Sequence, residues 1–417
     1  MRSDSETFRA VVQKLPKPGD VFAGKYRVDS LLGVGGMGGV FLALDLTLNR
    51  LVAIKLVLPH LLDREESRLR FLCEAQAMAA IRHENVVPIF DFGTHQDCPF
   101  IVMAYIKGST LDERIDSTGM LSIDEAVGLV EGICKGVAAI HQCGIVHGDL
   151  KPANVLVDDL FRPFVTDFGV TLDATSTNGD QGTPGYLAPE RLPEQKELEP
   201  SRRFLGDVYS LGVIAFELLA GRRPFEAPDS ARVLVQQLYK EPPSLTTFRP
   251  DLPTVFDEIV RKAMARDPDL RTRSALAFAQ DLGEARANLR RGAPRALLVV
   301  DDDPAFVSLV RAVVEEVMPA VRVDSAGTGE EALIAARATH YNAIAIDLQL
   351  PDVNGLELTA LLSARGENTR LLVITGTGAA RDWQVLSRMG ATDFLLKPVD
   401  PENLGASLRR ALYRDDS

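Results

Sequence analysis

The stretch HGDLKPAN, residues 147–154, decides the fold of the longer part of the chain. It places a carboxylate at Asp149, an ammonium at Lys151 and an amide at Asn154 within one short loop. Three kinds of group therefore lie close together. The carboxylate can take a proton, the ammonium carries a fixed positive charge, and the amide oxygen can bind a hard metal ion. This combination indicates a catalytic loop rather than a solvated turn.

A glycine-rich segment and a strand lysine precede this loop. Residues 31–43, LLGVGGMGGVFLA, lead into another strand instead of a helix, which predicts a β-hairpin whose backbone can close over phosphates. Taken alone, the glycines would also fit a hairpin turn without a ligand. The next strand contains VAIK and places Lys55 beside the hairpin, and DFG follows the loop at residues 167–169. Three further motifs come in chain order: GTPGYLAPE (182–190), DVYSLG (207–212) and DPDLR (267–271).

In this order and spacing the motifs resemble those of the protein kinase family, over residues 21–288, and look most like bacterial serine/threonine kinases. The resemblance implies a bilobal α+β fold with a small β-rich lobe before a larger helical lobe. It also implies ATP and Mg²⁺ as cofactors and protein Ser/Thr hydroxyls as substrates.

The resemblance assigns a role to each charged residue of the site. Asp149 would take the proton of the attacking hydroxyl, and Lys151 would offset the charge of the transferred γ-phosphoryl. Lys55 would hold the α- and β-phosphates, oriented by a salt bridge to Glu74. The metal ligands would be Asn154 and Asp167.

The resemblance also implies an adenine pocket, in which the backbone at Ala104 reads the adenine edge and Ala53 and Leu156 enclose the ring. Outside the pocket, Thr183 would lie near Asp149, and His147 is expected to be a buried core histidine. Glu190 and Arg271 would form a buried ion pair. The full set of expected ATP-binding residues is Leu32, Gly33, Gly35, Gly38, Val40, Ala53, Lys55, Met103, Ala104 and Leu156.

Gly148 departs from the family pattern, which has an Arg before the catalytic Asp. That Arg commonly pairs with a phosphorylated residue of the loop between DFG and APE, a pairing that Gly cannot make. The loop here contains no Lys or Arg, so we expect that its phosphorylation is not the main on-switch. An alternative hypothesis is a kinase-like scaffold of low activity, but Lys55, Asp149 and Asp167 are all retained.

A second constellation follows a predicted linker at residues 289–295. Five short apolar runs alternate with helix-like segments, which predicts a parallel α/β sheet. Polar residues follow the first, third, fourth and fifth runs, and sites in such sheets form at the carboxyl ends of strands. These residues are Asp301, Asp302, Asp347, Thr375 and Lys397.

This set resembles the receiver domain of response regulators, a flavodoxin-like (βα)5 fold, over residues 296–414. The resemblance implies that Asp347 is phosphorylated, with Mg²⁺ held by Asp301, Asp302 and Asp347. Thr375 and Lys397 would bind phosphoryl oxygens, and Phe394 matches an aromatic switch position. A partner histidine kinase or phosphotransfer protein is implied. We hypothesise that the receiver modulates the kinase; as alternatives, it is the working phosphate acceptor of an inactive scaffold, or a phosphate sink.

Composition and charge argue against several other classes of protein. A net charge of −12 over 417 residues argues against a nucleic-acid partner. The four cysteines have no CxxC spacing, so no metal or disulfide framework is expected. Residues 1–20 are expected to be an N-terminal extension without the apolar core of a signal peptide. No apolar run is long enough to span a bilayer, so a cytoplasmic location is expected.

Overall fold

The computed structural model describes most of the chain, which divides into two compact units. The first unit takes residues up to Met120 together with Gly128–Gly283, and the second takes Leu121–Val127 and the residues from Glu284 onward. The described residues are 16–35, 38–57, 73, 75–95, 98–168, 185–191, 199, 202–292, 295–364, 369–376 and 383–413.

The first unit begins with an antiparallel sheet, as its β-branched and alternating sequence predicts. Its described strands lie in the order β1-β2-β3-β4-β6-β5. Aromatic and branched side chains from one face, among them Tyr26, Phe41 and Ile54, form a buried cluster that holds the sheet together. The strands are β1 (Val21–Phe22), β2 (Tyr26–Gly35), β3 (Gly38–Asp45), β4 (Arg50–Val57), β5 (Ile89–His95) and β6 (Cys98–Ala104).

The glycine-rich segment forms the predicted hairpin, since β2 pairs with β3 in antiparallel register. Gly38 has a φ of +147°, and a Cβ built there would lie 1.9 Å from the backbone oxygen of Leu56. Only glycine lets the hairpin approach β4 this closely.

The rest of the first unit is mostly helical. The helices are α1 (Leu111–Thr118), α2 (Ile123–Gln142), α3 (Leu205–Ala220), α4 (Ser230–Tyr239), α5 (Leu245–Phe248), α6 (Thr254–Ala263) and α7 (Ala275–Gly292). The first residues of α2 and the last residues of α7 are assigned to the second unit. The apolar helix α3 is buried along almost its whole length. A small sheet of β7 (Gly108–Thr110), β8 (Val155–Asp158) and β9 (Pro163–Val165) borders the catalytic loop. No helix among the described residues is both long and apolar enough to cross a bilayer.

Helix α7 continues into the segment that the sequence predicts as a linker. It ends at Gly292, so the first residues of the predicted linker 289–295 are helical. Leu and Arg are good helix formers, and the helix stops only where Gly292 and Pro294 follow.

The second unit contains the predicted parallel sheet. Its five described strands run in the order β11-β10-β12-β13-β14, the flavodoxin-like order with one switch point beside β10. Alternate residues of β10 enter two different buried clusters, so both faces of the sheet are covered. The elements are β10 (Ala296–Val300), α8 (Pro304–Val317), β11 (Arg322–Ala326), α9 (Gly329–Ala338), β12 (Ala343–Ile346), α10 (Gly355–Ser363), β13 (Arg370–Thr375), α11 (Trp383–Arg388), β14 (Ala391–Leu396) and α12 (Pro401–Tyr413).

Candidate active sites

The catalytic loop brings its acid, cation and amide into direct contact. The Lys151 ammonium lies 2.8 Å from Asp149 Oδ2. The Asn154 side-chain amide donates to the Asp149 carbonyl oxygen at 2.7 Å and to its Oδ2 at 3.2 Å. A short 3-10 turn, Pro152–Asn154, with proline at its start, sets this geometry. Asp149 is thus fixed from two sides while its carboxylate remains partly exposed.

Lys55 and Asp167 form the second contact of this site, with Nζ and Oδ1 separated by 2.7 Å. Asp167 adopts a φ of +60°, a left-handed conformation that short polar residues tolerate better than others. The backbone amide of Thr166 donates to the Asn154 carbonyl oxygen, so the two expected metal ligands lie on adjacent backbone segments. Glu74, the expected partner of Lys55, lies outside the described residues, as does Thr183.

Strand register brings several expected nucleotide-binding residues together. Ala53 pairs with Met103, Val40 pairs with Lys55, and Ala104 pairs with Val52. Ala53 and Met103 are buried, whereas Leu32 in the hairpin is 46% exposed. The Leu156 side chain, on β8 opposite Thr110, is half-buried. Gly33 and Gly35 lie in β2 and Gly38 begins β3, so the expected ATP-binding residues fall on four strands of the first sheet and on β8.

Asp207 anchors the catalytic loop, a role that the sequence does not indicate, although this residue begins the quoted motif DVYSLG. Its buried carboxylate accepts hydrogen bonds from the backbone amides of His147 at 2.8 Å and Gly148 at 3.0 Å. The ring nitrogen Nε2 of His141 lies 2.8 Å away. Burial alone would raise the pKa of Asp207, but the neighbouring Arg191 and His141 outweigh burial and hold it well below the ordinary value.

His147 and the Glu190–Arg271 pair have structural positions. His147 is 2% exposed, its Nε2 lies 3.1 Å from the Thr166 carbonyl oxygen, and burial lowers its pKa. Arg271 donates to both carboxylate oxygens of Glu190, at 2.7 and 3.0 Å, with side chains 0% and 9% exposed. The predicted buried ion pair is confirmed.

Replacing Arg271 by Gln should strongly destabilise the first unit. The change leaves the Glu190 carboxylate buried without its partner and removes donors to the Ala265 and Leu205 carbonyl oxygens. We expect the free energy of unfolding to fall by about 3–5 kcal/mol. Calorimetry of the whole chain should show the transition of the first unit shifted to lower temperature.

The control is Arg202→Gln, which removes an exposed ion pair with Asp269 and should cost at most about 1 kcal/mol. Equal shifts for the two variants would contradict the structural role of Arg271.

The segment just before APE is held at three successive carbonyl groups. The buried Gln237 side chain of α4 donates to the carbonyl oxygens of Gly185 at 2.9 Å and Leu187 at 3.2 Å. Ser210 of α3 donates to the Tyr186 carbonyl oxygen at 2.8 Å. These side chains fix the backbone of Gly185–Leu187 within the motif GTPGYLAPE, and no pattern around them in the sequence indicates this involvement.

In the second unit, one lysine joins two of the predicted aspartates. Lys397 Nζ lies 2.6 Å from Asp301 Oδ2 and 2.6 Å from Asp347 Oδ2. Burial alone would lower the pKa of Lys397, but its hydrogen bonds to both carboxylates outweigh burial and raise it. Burial raises the pKa of Asp301 despite the contact with Lys397. All three residues follow the carboxyl ends of their strands.

Thr375 lies beside Lys397, because the backbone amide of Lys397 donates to the carbonyl oxygen of Thr375. Its hydroxyl is buried and has no hydrogen-bond partner among the described residues. Phe394 is half-buried on β14, and Asp302 is exposed. Within the described part of the chain, no three His, Cys, Asp or Glu side chains converge as a metal centre. The trio of Asp301, Asp302 and Asp347 therefore stays a prediction.

The donor chemistry of both sites fits a hard divalent cation and a phosphoryl group. Carboxylate and amide oxygens, which Mg²⁺ prefers, are present at Asn154 and Asp167 and again at Asp301 and Asp347. A buried hydroxyl without a partner is rare, and that of Thr375 fits a phosphoryl oxygen.

The fold of the first unit and the arrangement of its site are those of the protein kinase family. The family model described as "Protein kinase domain" matches residues 26–290, and the chain belongs to this family. The model of the response regulator receiver domain matches residues 297–409, in agreement with the parallel sheet of the second unit.

Similar proteins are bacterial kinases. Serine/threonine-protein kinase PrkC of Bacillus subtilis is 36% identical over 272 residues, which are 64% of this chain and 41% of PrkC. PknA of Mycobacterium tuberculosis is 33% identical over 289 residues, 67% of this chain and 65% of PknA. The chain thus spans less than two thirds of either relative. The solved PknI kinase domain of M. tuberculosis is 27% identical, with a TM-score of 0.53, and the match covers 65% of this chain and 99% of that one.

Proposed function

We propose that the first unit is a serine/threonine protein kinase that transfers the γ-phosphoryl group of ATP to protein hydroxyls. The observation that carries this proposal is the convergence of Asp149, Lys151 and Asn154, together with the contact between Lys55 and Asp167. The kinase membership of the chain and its bacterial serine/threonine kinase relatives support it.

Each charged residue of the site has its own role in the phosphoryl transfer. The bond from the γ-phosphorus to the ADP oxygen breaks, a bond to the substrate oxygen forms, and the hydroxyl proton passes to Asp149. Lys151 stands beside Asp149 and offsets negative charge on the moving phosphoryl group. Mg²⁺, bound at Asn154 and Asp167, would neutralise charge on the phosphates. Lys55 would exchange its contact with Asp167 for contacts with the α- and β-phosphates.

The test uses the purified full chain, γ-labelled ATP, Mg²⁺ and a generic protein substrate. The proposal expects label on serine or threonine that is stable to acid. Absence of acid-stable label from both the chain itself and the substrate would contradict the proposal and favour a kinase-like scaffold.

For the second unit, we propose that Asp347 accepts a phosphoryl group from a histidine kinase or phosphotransfer protein. Asp347 Oδ1 is held by the Gln349 amide, and its Oδ2 by Lys397. A carboxylate oxygen attacks phosphorus and forms an acyl phosphate, while the bond to the donor breaks. The buried hydroxyl of Thr375 and the ammonium of Lys397 would bind the phosphoryl oxygens.

The two activities in one chain lead us to propose that phosphorylation of Asp347 changes the rate of the kinase. Treatment with an acyl-phosphate mimic such as beryllofluoride should change the kinase rate of the wild-type protein by about tenfold, an ordinary allosteric coupling. It should leave Asp347→Asn unaffected. Steady-state kinase assays with and without the mimic measure this. Unchanged kinase rate and oligomeric state in both proteins would contradict the coupling and favour a phosphate sink.

A further inference from the structure

A second arginine contacts the catalytic loop from outside it. Arg191 follows the motif APE at the end of a short 3-10 turn, Pro189–Arg191. Its Nη1 donates to the carbonyl oxygen of Gly148 at 3.0 Å. This carbonyl belongs to the peptide group that joins Gly148 to Asp149. The guanidinium therefore binds the backbone immediately before the proposed catalytic base.

Arg191 is held in place by the start of α3. Its Nη2 donates to the Arg203 carbonyl oxygen at 3.0 Å and lies 3.3 Å from Oδ1 of the buried Asp207. A Cβ built on Gly206 would lie 2.5 Å from Arg191 Nε and 2.7 Å from its Cζ. The guanidinium thus occupies the space that any side chain at position 206 would need.

Two oppositely charged side chains, Asp207 and Arg191, hydrogen-bond to the backbone of Gly148. The Gly148 amide donates to Asp207, while the Gly148 carbonyl accepts from Arg191. Gly148 itself has a φ of +84°, which glycine adopts without strain. The side chain of Arg191 is 21% exposed, and its hydrogen bond to Gly148 is partly shielded from water.

We infer that Arg191 is a positioning residue for Asp149: it supplies, from the segment after APE, the cation that fixes the catalytic loop in the absence of an arginine at position 148. Because this clamp, formed by Arg191 and Asp207 on the backbone of Gly148, consists of groups already present in the chain, it needs no added phosphate. The inference rests on the proposed catalytic role of Asp149.

The first test is Arg191→Ala in the full chain. Losing a charge-assisted hydrogen bond and loosening the loop should lower kcat by about tenfold to a hundredfold. The KM for ATP should stay within about twofold, because the nucleotide is expected to bind at other residues. Arg191→Lys keeps one donor and should recover part of the loss. The control Arg203→Gln alters an exposed side chain of the same region and should leave kcat unchanged.

A second test separates positioning from general stability. Gly206→Ala should displace the guanidinium and lower kcat about as much as Arg191→Ala. In the Arg191→Ala background the added methyl group meets no guanidinium, so Gly206→Ala should lower kcat no further. There it should raise the melting temperature, since Ala is the better helix former. If Arg191→Ala folds poorly, Gly206→Ala in the wild-type background, which keeps every charge, still tests the inference: a kcat within twofold of wild type would overturn it.

The inference is overturned if Arg191→Ala keeps kcat within twofold, or if Gly206→Ala lowers kcat equally in both backgrounds. Asp149→Asn, assayed in parallel, tests the proposed function separately. A wild-type protein without any transfer would count against the kinase itself, whereas an active wild type with an equally active Arg191→Ala would count against the clamp alone.

Discussion

Replacing Asp149 by Asn should lower the rate of phosphoryl transfer to a protein substrate by about a thousandfold. The substitution keeps the shape of the side chain and leaves an oxygen that can accept from Lys151 and Asn154. It removes the carboxylate that takes the hydroxyl proton. Because the expected nucleotide contacts lie on other elements, ATP affinity should change little.

The transfer rate is measured with labelled ATP under single-turnover conditions, and the ATP affinity by an ATP titration. The matched control is Asp159→Asn, the same chemical change at an exposed aspartate that pairs with Lys107. The control should retain its rate within about twofold, as expected for an exposed pair. A rate for Asp149→Asn close to that of the control would show that Asp149 takes no part in phosphoryl transfer.

Replacing Asp347 by Asn should abolish labelling of the second unit by a small acyl-phosphate donor such as acetyl phosphate. An amide oxygen is a far weaker nucleophile than a carboxylate and cannot form the acyl phosphate. The substitution would also remove one of the two charges that bind Lys397, at 2.6 Å in the native protein. The fold should survive, because Asp301 still pairs with this lysine.

The measurement is hydroxylamine-sensitive label on the full chain after incubation with the donor and Mg²⁺. Asp400→Asn is the control, since Asp400 is exposed at the start of α12, where Asn serves as well as Asp. It should label like the wild type. Undiminished label in Asp347→Asn would place the acceptor at another residue.

Much of the fold could be predicted from the sequence because its signals are local. The glycines of the hairpin precede a strand, and the aspartates and lysine of the second unit follow apolar strands whose ends meet at one edge of the sheet. That topology brings Lys397 to Asp301 and Asp347, whereas the sequence predicts only its contact with phosphoryl oxygens. Helix α7 shows the limit of such signals, because a Gly and a Pro locate its end only to within a few residues.

The support of the catalytic loop could not be predicted, because it depends on contacts between distant segments. Asp207 binds Gly148 across 59 positions, and Arg191 binds it across 43. No periodicity or spacing relates such residues. From the sequence, Gly148 indicates only the loss of a regulatory contact. In the structure its φ of +84° and its two held backbone groups make it part of a fixed loop.

The central claim is that one chain carries two phosphoryl sites of different chemistry. The most direct measurement incubates the wild-type protein separately with labelled ATP and with labelled acetyl phosphate, then treats each sample with acid and with hydroxylamine. We expect acid-stable, hydroxylamine-resistant label from ATP on serine or threonine, and hydroxylamine-sensitive label from acetyl phosphate that maps to Asp347. Label of one chemical type from both donors would contradict the claim.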